Sequence, residues 1–598
     1  MAKKWILAAQ NDEDVRRLAN ALRVSDVTAR VLANRGITEP GRAQRFLQPS
    51  LQELIDPCRH APTTKAARFL LDAAHANRRV AIFGDYDADG ICAAALLVRC
   101  FQYLGADPDL YIPHRVEEGY GLSCEALKEL ADGGAQVVVT VDCGITALQE
   151  AAYAQELGLE LVITDHHEPG PQTPDAPHVL NPKLSRSGAD DPGGAGLGYE
   201  YLAGVGVAFK LAWAIGQQLS AGHRVSEEFK DLLMEALSLV AVGTVADVAP
   251  LVDENRVLVH YGLRALSAPS RPGLRALIAA SRLRGSGVTA HDVAFRLAPR
   301  LNAAGRMGDA RAAVDMLTTS DARHAIDLAD HLEEQNRLRI SAQQSALEEA
   351  ERRLAEDERL MQGGCIVLAD PNWHQGIVGL VASRLAEKHW RPAFVFATNG
   401  QWACGSARSV PGFPLFSAVR ECADLLERYG GHEGAAGITL RAENLPAFAE
   451  RMRSLAAGIL GQEPPAPELS LDGEVELAAL NAALVRELEL LEPFGKLNPE
   501  PLFAASDLRL VGNPHVVGSN ASHLAFMVRQ KDTVLRVIAM NKAEWIGELR
   551  ARKGEPFSLA FQPVISTYGG PSQVELRAED MQWDVERSVA RGAPCPSP

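Results

Sequence analysis

Three short apolar runs in the first third of the chain each end in a group of acids or imidazoles, and this recurrence constrains the fold more than any other feature. Residues 79–83 (RVAIF) lead into Asp85-Tyr86-Asp87-Ala88-Asp89-Gly90, residues 136–141 (QVVVTV) into Asp142, and residues 159–164 (LELVIT) into Asp165-His166-His167. Apolar-periodic stretches at 92–103 and 122–132 lie between them, and a fourth β-rich run sits at 179–180. Strand–helix–strand alternation implies a parallel sheet with helices on both faces. In such a sheet the C-terminal strand ends border one crevice, where ligands bind. The three polar clusters are therefore expected along a single edge.

Two plainer readings compete with a functional one. A DxDxDG string also occurs in calcium-binding EF-hand loops, which require a preceding helix and a Glu at the twelfth position. Counting from Asp85, that position is Leu96, and the preceding run reads as a strand. An Asp at a strand end can also simply cap the next helix. That explains one Asp better than three clusters at one edge, the last containing the only adjacent pair among 16 histidines. Carboxylates packed this closely cannot all ionise without cations to offset their repulsion. Mixed Asp/His ligation favours Mn²⁺ or Mg²⁺ over structural zinc. Two such ions bridged by a shared Asp would activate a water for in-line attack on phosphorus. Asp247, within VGTVADV, is a further ligand candidate.

At 598 residues the chain is long enough for three or four domains. Its balance of 47% hydrophobic and 23% charged residues is that of a globular protein, which excludes disordered and fibrous classes. The net charge of −16 argues against coating nucleic acid with the whole surface, while leaving room for a local basic groove. No apolar run approaches the ~18 residues of a membrane span, and the nine cysteines are odd in number and form no CxxC. A reduced, cytoplasmic protein is expected.

Residues 1–60 read as short helices and turns, with a capped start near Ser25, and 187–198 as a Gly/Asp-rich loop without a phosphate-binding P-loop motif. Mostly helices follow to about Leu317, then residues 320–356, free of Pro and Gly and rich in Glu/Arg pairs, read as one long solvated helix. A second β/α unit starts at Gly364. Pro464-Pro465-Ala466-Pro467 reads as a linker, and five β-prone runs after it, with turns at Gly512-Asn513 and Gly569-Gly570, fit a small barrel. The expected domains are a helical segment (1–60), a catalytic domain (61–319), a connecting helix (320–360), a second α/β domain (361–460), a barrel (468–585) and a tail (586–598).

The strings DYDADG, VDCG and DHH, followed by LAGVGVAFK, GTVADVAPL and RLNAAGRM, resemble the DHH phosphoesterase superfamily, and GSARS (405–409) with GGHEGAAG (430–437) resembles its DHHA1 domain. In order and length the chain is similar to the branch of single-strand-specific 5′→3′ DNA exonucleases, in which an OB-fold barrel follows the two lobes. The resemblance implies an α/β fold: a DHH lobe with a parallel sheet, a long connecting helix, a DHHA1 α/β lobe and a C-terminal OB-fold β-barrel. It implies a two-metal exonuclease releasing 5′-mononucleotides in recombination and repair, with two Mn²⁺ or Mg²⁺ ions. Implied partners are single-stranded DNA, a single-strand-binding protein and a RecQ-type helicase, around a monomer. Two other readings stay open: a DHH–DHHA1 phosphodiesterase for short oligonucleotides or cyclic dinucleotides, and a non-catalytic strand-binding scaffold.

Carried onto this sequence, the metal ligands fall on Asp87, Asp89, Asp142, His166 and Asp247, with Asp142 bridging and His167 near the scissile phosphate. Related pyrophosphatases carry a His where this chain has Phe83, so Asp85 is expected as a substitute ligand or a base beside the ligands. Arg is the natural reader of a terminal phosphate because its fork binds phosphate oxygens bidentately. Ser406 and Arg408 of GSARS, expected in a small Gly-bracketed loop, suit that role, and the resemblance adds Arg115 and Arg306. Gly430, Gly431 and His432 are expected as a turn presenting an imidazole across the cleft. In the barrel, Leu497 stands where Gly is usual and Ala525 where Lys is common, which implies a weaker grip on the strand. His523, Phe526, Arg529, Lys531 and Tyr568 remain as stacking and charge candidates.

Overall fold

The structure is a computed structural model. It describes residues 3–591 apart from 10, 116–117, 120, 188–198, 221, 223, 284–286, 462–465, 519, 567–571 and 584–588. The Gly/Asp-rich loop (beyond Ser187), Pro464-Pro465, Gly569-Gly570 and Tyr568 thus lie outside the described residues. By contact the chain divides into two compact units: Ile55–Ala249 with Tyr261–Pro465, and Met1–Leu54 with Pro250–His260 and Ala466–Pro598.

The first of these contains the expected α/β lobes. Its five-stranded parallel sheet runs Asp109–Tyr111, Val80–Gly84, Val137–Val141, Glu160–Thr164, His178–Leu180 in spatial order. The strands Val80–Gly84 and Val137–Val141 are buried at every position, as expected for a parallel sheet covered on both faces. Their register sets the position of the polar clusters. Gly84 pairs with Val141 and Val141 with Thr164, so three strands stop level with one another. The residues that come next, Asp85, Asp142 and Asp165, leave the sheet side by side. The edge strand Asp109–Tyr111 was missed by sequence reasoning, being three residues long and only partly buried.

The connecting helix spans Ala322–Glu356, capped by Asp321, whose side chain accepts from the N–H groups of Arg323 and His324. At 1.5 Å per residue it is about 52 Å long. It is not simply solvated. Ala325, Ala329, Leu332 and Asn336 are buried along one stripe, and Ala346, Ala350 and Leu354 belong to the core of the second lobe. That lobe's sheet has the order Leu426–His432, Ala435–Arg441, Trp402–Arg408, Ala393–Thr398, Ile366–Asp370. Two expectations are corrected here. Ser406 and Arg408 lie on a regular strand paired on both sides, not in a Gly-bracketed loop. Gly430 and Gly431 likewise continue a strand that ends at His432.

In the second unit, the strands Phe503–Val517, His523–Gln530, Thr533–Ala539, Gln573–Trp583 and Phe557–Ser566 close into a barrel, because Phe503–Val517 pairs with both His523–Gln530 and Phe557–Ser566. The turn expected at Gly512-Asn513 is instead an irregularity between Val511 and His515 within one 15-residue strand. The N-terminal segment is not purely helical, nor is the C-terminal stretch only a tail. Lys4–Leu7 pairs in parallel with Glu468–Leu471 and with Val589–Arg591. The helix expected near Ser25 runs Asp26–Asn34, with the Ser25 side chain accepting from the Thr28 N–H. Its buried face joins the barrel core, with Val31 and Leu32 in the same cluster as Phe503 and Phe557.

Arg256, on the short inserted segment, donates to the backbone carbonyls of Phe46 (2.8 Å), Leu491 (2.8 Å), Leu490 (3.1 Å) and Glu492 (2.7 Å). Burial pushes its guanidinium down to about 9. The carbonyls of Leu490, Leu491 and Glu492, just before the barrel strands, thus clamp a buried arginine.

Candidate active site

The level strand ends bring the sequence-predicted acids and imidazoles together. Three groups form, each with its donor atoms within 4.8 Å of one another: Asp85, Asp87 and Asp142; Asp89, His166 and Asp247; and Asp142, His166 and His167. Asp142 and His166 are each shared by two groups. His166 Nε2 stands 3.1 Å from Asp142 Oδ1, 3.8 Å from Asp247 Oδ2 and 3.9 Å from Asp89 Oδ2. Asp142 adopts a left-handed backbone conformation (φ 63°), uncommon for a non-glycine residue.

Local structure explains how each carboxylate is held. Asp87 caps the helix Ala88–Tyr103 through hydrogen bonds from the N–H groups of Asp89 (2.9 Å) and Gly90 (3.2 Å), so it fills the capping role of the plainer reading and still sits with Asp85 and Asp142. Asp89 is buried and accepts from the backbone N–H of Gly204 (2.6 Å) and Val205 (2.9 Å), which open the helix Gly204–Leu219. A Cβ at Gly204 would lie 2.6 Å from Asp142 Oδ1, and one at Gly243 would lie 2.6 Å from Asp89 Oδ1. These glycines make LAGVGVAFK and GTVADVAPL part of the site: each lets a helix approach a carboxylate. Asp247 is the C-cap of Glu227–Ala246. Phe83 is fully buried and stacked on Tyr111 at 5.3 Å, so the position that bears a His in the pyrophosphatases here belongs to the core.

The electrostatics of the site demand added positive charge. Burial, and then neighbouring carboxylates, hold Asp85, Asp89 and Asp142 well above the usual carboxylate range. For His167, burial pulls the pKa down, but its hydrogen bond and charge interaction with Asp165 outweigh this and leave it pushed up to about 9. Asp165 is correspondingly held low: burial would raise it, but His167 Nδ1 at 2.7 Å and the Ile145 N–H at 2.9 Å win. Sequence reasoning left Asp165 without a role. It orients His167, much as a carboxylate orients an imidazole in many catalytic dyads.

A second cluster, of opposite sign, adjoins the first. Burial, then Arg115, Arg339 and Arg408, push the Arg306 guanidinium down to about 9, while Asp87 pulls it back up. Arg306 donates to the Gly376 carbonyl at 3.1 Å. Arg408 donates to Ser406 Oγ at 2.8 Å, and Arg115 lies over the Tyr86 ring at 4.8 Å. Asn302, in the same RLNAAGRM helix as Arg306, accepts from the Ala88 N–H at 2.8 Å and so ties that helix to the acidic turn. Arg339, on the connecting helix, was missed because its surroundings read as solvated.

Not every predicted residue gathers here. His432 and Gly431 are exposed, and the His432 ring accepts from the Gly434 N–H at 3.1 Å without touching the carboxylate groups. In the barrel, Phe526 is 2% exposed and belongs to the core, which removes it from the stacking candidates. Ala525 is fully buried and shares its face of the strand with exposed Met527 and Arg529. Leu497 has φ 60°, which accounts for the usual Gly at that position.

A parallel sheet delivering acids and an imidazole to one edge, joined by a long helix to a second lobe that supplies arginine, defines a DHH-type phosphoesterase. Family models agree: the DHH family N-terminal domain matches residues 79–244, the DHHA1 domain 362–458 and the RecJ OB domain 471–580. The chain is 35% identical over 589 residues to the single-stranded-DNA-specific exonuclease RecJ of Bacillus subtilis, covering 97% of this chain and 71% of that one. With the same-named protein of Thermus thermophilus it shares 39% identity over 484 residues, covering 80% and 66%. The crystal structure of RecJ in complex with Mn²⁺ from Thermus thermophilus superposes with a TM-score of 0.80 at 33% identity, covering 98% of this chain and 80% of that one. A structure of exonuclease RecJ bound to manganese gives 0.56 at 38% identity, covering 68% and 95%. This chain belongs to the RecJ family of single-stranded-DNA-specific exonucleases.

Proposed function

We propose that the chain degrades single-stranded DNA from its 5′ end, hydrolysing phosphodiester bonds with the help of two Mn²⁺ or Mg²⁺ ions and releasing 5′-mononucleotides in recombination and repair. The observation that carries this reading is the trio of donor groups linked through Asp142 and His166, beside a cluster of arginines. The donor set fits the ions: hard carboxylate oxygens with one imidazole suit Mn²⁺ or Mg²⁺ and offer no thiolate. Asp85, Asp87 and Asp142 would hold one ion, and Asp89, Asp142, His166 and Asp247 the other. When bound, the ions supply Lewis acidity and an activated water.

The chain's own residues do the rest. His167, fixed by Asp165, lies 4.0 Å from Asp142 and is placed to hydrogen-bond a phosphate oxygen as charge develops. Ser406 and Arg408, with Arg306 and Arg115, receive the 5′-terminal phosphate, so the first phosphodiester falls on the acidic centre. Gly431 and His432 contact the strand as it enters. Within this scheme residues 61–319 form the catalytic domain, 361–460 the end-reading domain and 468–585 the strand-binding barrel. We further propose a cytoplasmic monomer that receives strands opened by a RecQ-type helicase and covered by a single-strand-binding protein. The eight cysteines among the described residues are all free, which suits a reducing compartment. No helix of the described residues is long and apolar enough to cross a membrane.

The decisive assay incubates a 5′-labelled single strand, a duplex and a dinucleotide with Mn²⁺ and with chelator. Release of labelled mononucleotide from the single strand alone, abolished by chelator, is the expected result. Preferential cleavage of the dinucleotide would point to a short-oligonucleotide phosphodiesterase, and no cleavage of any substrate to a strand-binding scaffold.

A further inference from the structure

The helix that begins at the acidic centre ends at a different polar cavity. About 690 Å³ in volume, it is lined in part by Arg99, Tyr103, Arg271, Asp315, Thr319 and Ser320. None of these residues belongs to the metal-binding groups, and Arg99 is ten residues beyond Asp89, about 15 Å along the helix axis.

Its charge balance is unusual. Arg99 and Arg271 both pair with Oε1 of Glu235, Arg271 through Nε at 3.4 Å, so two guanidinium groups share one carboxylate oxygen. Their side chains are only 17% and 21% exposed. Arg271 also donates to the Thr318 carbonyl at 2.9 Å. Each guanidinium carries five donors, so most of this capacity is unspent. Asp315 does not restore the balance, because it has its own cation in Arg311 at 3.8 Å. A half-buried excess of positive charge is costly unless an anion meets it. The hydroxyls of Thr319 and Ser320 line the same space, and so does the Tyr103 ring, which is 39% exposed and braced edge-on by Phe229 at 5.1 Å.

We propose that this cavity binds a nucleoside monophosphate, the phosphate on Arg99 and Arg271 and the base against Tyr103. The volume lies in the range of small-ligand sites. A bare phosphate would leave most of it empty, and an uncharged nucleoside would leave the arginine pair unmet. The inference is independent of the exonuclease reading, since it concerns binding and not turnover.

The test titrates the full chain, in chelator, with dAMP, inorganic phosphate and deoxyadenosine by calorimetry, and maps hydrogen exchange on peptides covering residues 99–103 and 316–324. dAMP is expected to slow exchange in both segments and to bind at least about tenfold tighter than phosphate or nucleoside. Arg271→Gln, and separately Thr319→Trp, which fills the cavity without changing its charge, are expected to weaken that binding about tenfold or more with the melting temperature preserved. Arg408→Ala is expected to leave the exchange effect intact. Unchanged exchange in both segments at millimolar dAMP, protection that survives Thr319→Trp, or equal binding of inorganic phosphate would each overturn the proposal.

Discussion

The two halves of the active cleft are built on opposite electrostatic errors. At the first lobe's sheet edge, Asp85, Asp89 and Asp142 are buried among carboxylates and driven toward protonation. Beside them, Arg306 is buried, crowded by Arg115, Arg339 and Arg408, and driven toward losing its proton. Neither arrangement is a stabilising ion-pair network, because like charges sit together within each cluster. Each is relieved by a bound partner of opposite sign, cations in one and an anion in the other. The difference lies in rigidity. The carboxylates are held by level strand ends and helix-terminal amides, whereas the arginines reach in on long side chains from separate elements. Cations need fixed donors at short range, while a phosphate needs only several forks able to converge on it.

If the acidic cluster exists to hold metal, removing its shared member should remove the function without harming the fold. Asp142→Ala is expected to abolish metal-dependent turnover, by about a thousandfold or more, since metal and electrostatic contributions are each worth several kcal/mol. In chelator the variant should melt no lower than the parent, because a buried like charge has gone. Calorimetry with Mn²⁺ and a thermal melt decide this together. A variant that still binds two ions, or loses less than tenfold in rate, would break the assignment of Asp142 as the bridge.

His167→Ala tests the border between the two clusters. It should retain both ions and lose about a hundredfold in rate, the scale of a positioned proton-bearing group. Asp165→Asn should reproduce part of this loss, because Asp165 orients the imidazole through the 2.7 Å hydrogen bond. Loss of an ion in the His167 variant would move the residue into the metal's own coordination.

How much of this was legible beforehand follows the same division. The acidic cluster could be read because parallel strands place their successors along one edge, so strand-end residues in sequence become neighbours in space. Its supports were harder to see. Nothing in a single Gly204 or Gly243 shows that a helix must pass within van der Waals contact of a carboxylate, and Asp165 looked interchangeable with the other acids. In the arginine cluster, Arg408 was read from the chemistry of phosphate recognition and Arg115 and Arg306 only through family motifs, because the members come from four distant segments whose convergence is a matter of tertiary packing. Arg339 escaped entirely. Its helix has a charged, surface-like sequence, and the buried stripe of alanines beneath it, Ala325, Ala329, Ala346 and Ala350, is too weakly apolar to stand out. In the barrel, Gly512-Asn513 looked like a turn but is absorbed as an irregularity in a long strand, since pairing on both sides outweighs local turn preference.

On the arginine side, Arg408→Ala is expected to slow degradation of 5′-phosphorylated strands about tenfold or more, one charge-assisted contact being worth roughly 1.5–3 kcal/mol. The preference over 5′-hydroxyl strands should shrink by the same factor. An undiminished preference would transfer end recognition to Arg115 and Arg306, and the clusters would then differ in which lobe controls polarity as well as in sign.

The smallest effect belongs to Arg339, and it separates contact from field. Its guanidinium is engaged locally, donating to Gln343 Oε1 at 3.1 Å and to Asn336, so it influences the cleft through charge felt at Arg306. Arg339→Gln keeps polar donors on the helix and removes that charge. With no strand bound, relief of like-charge repulsion should leave the protein as stable as the parent or more stable by up to about 0.5 kcal/mol, the scale of a screened interaction. With a 5′-phosphorylated strand, loss of attraction should weaken binding about twofold at low salt. Such a field effect is screened over about 8 Å at physiological ionic strength, so the difference should vanish as salt rises to about 0.5 M. Binding of the two proteins is therefore compared across a salt series. A deficit that persists at high salt would mean that Arg339 touches the phosphate itself, making the arginine side a four-membered receptor with one member supplied by the connecting helix.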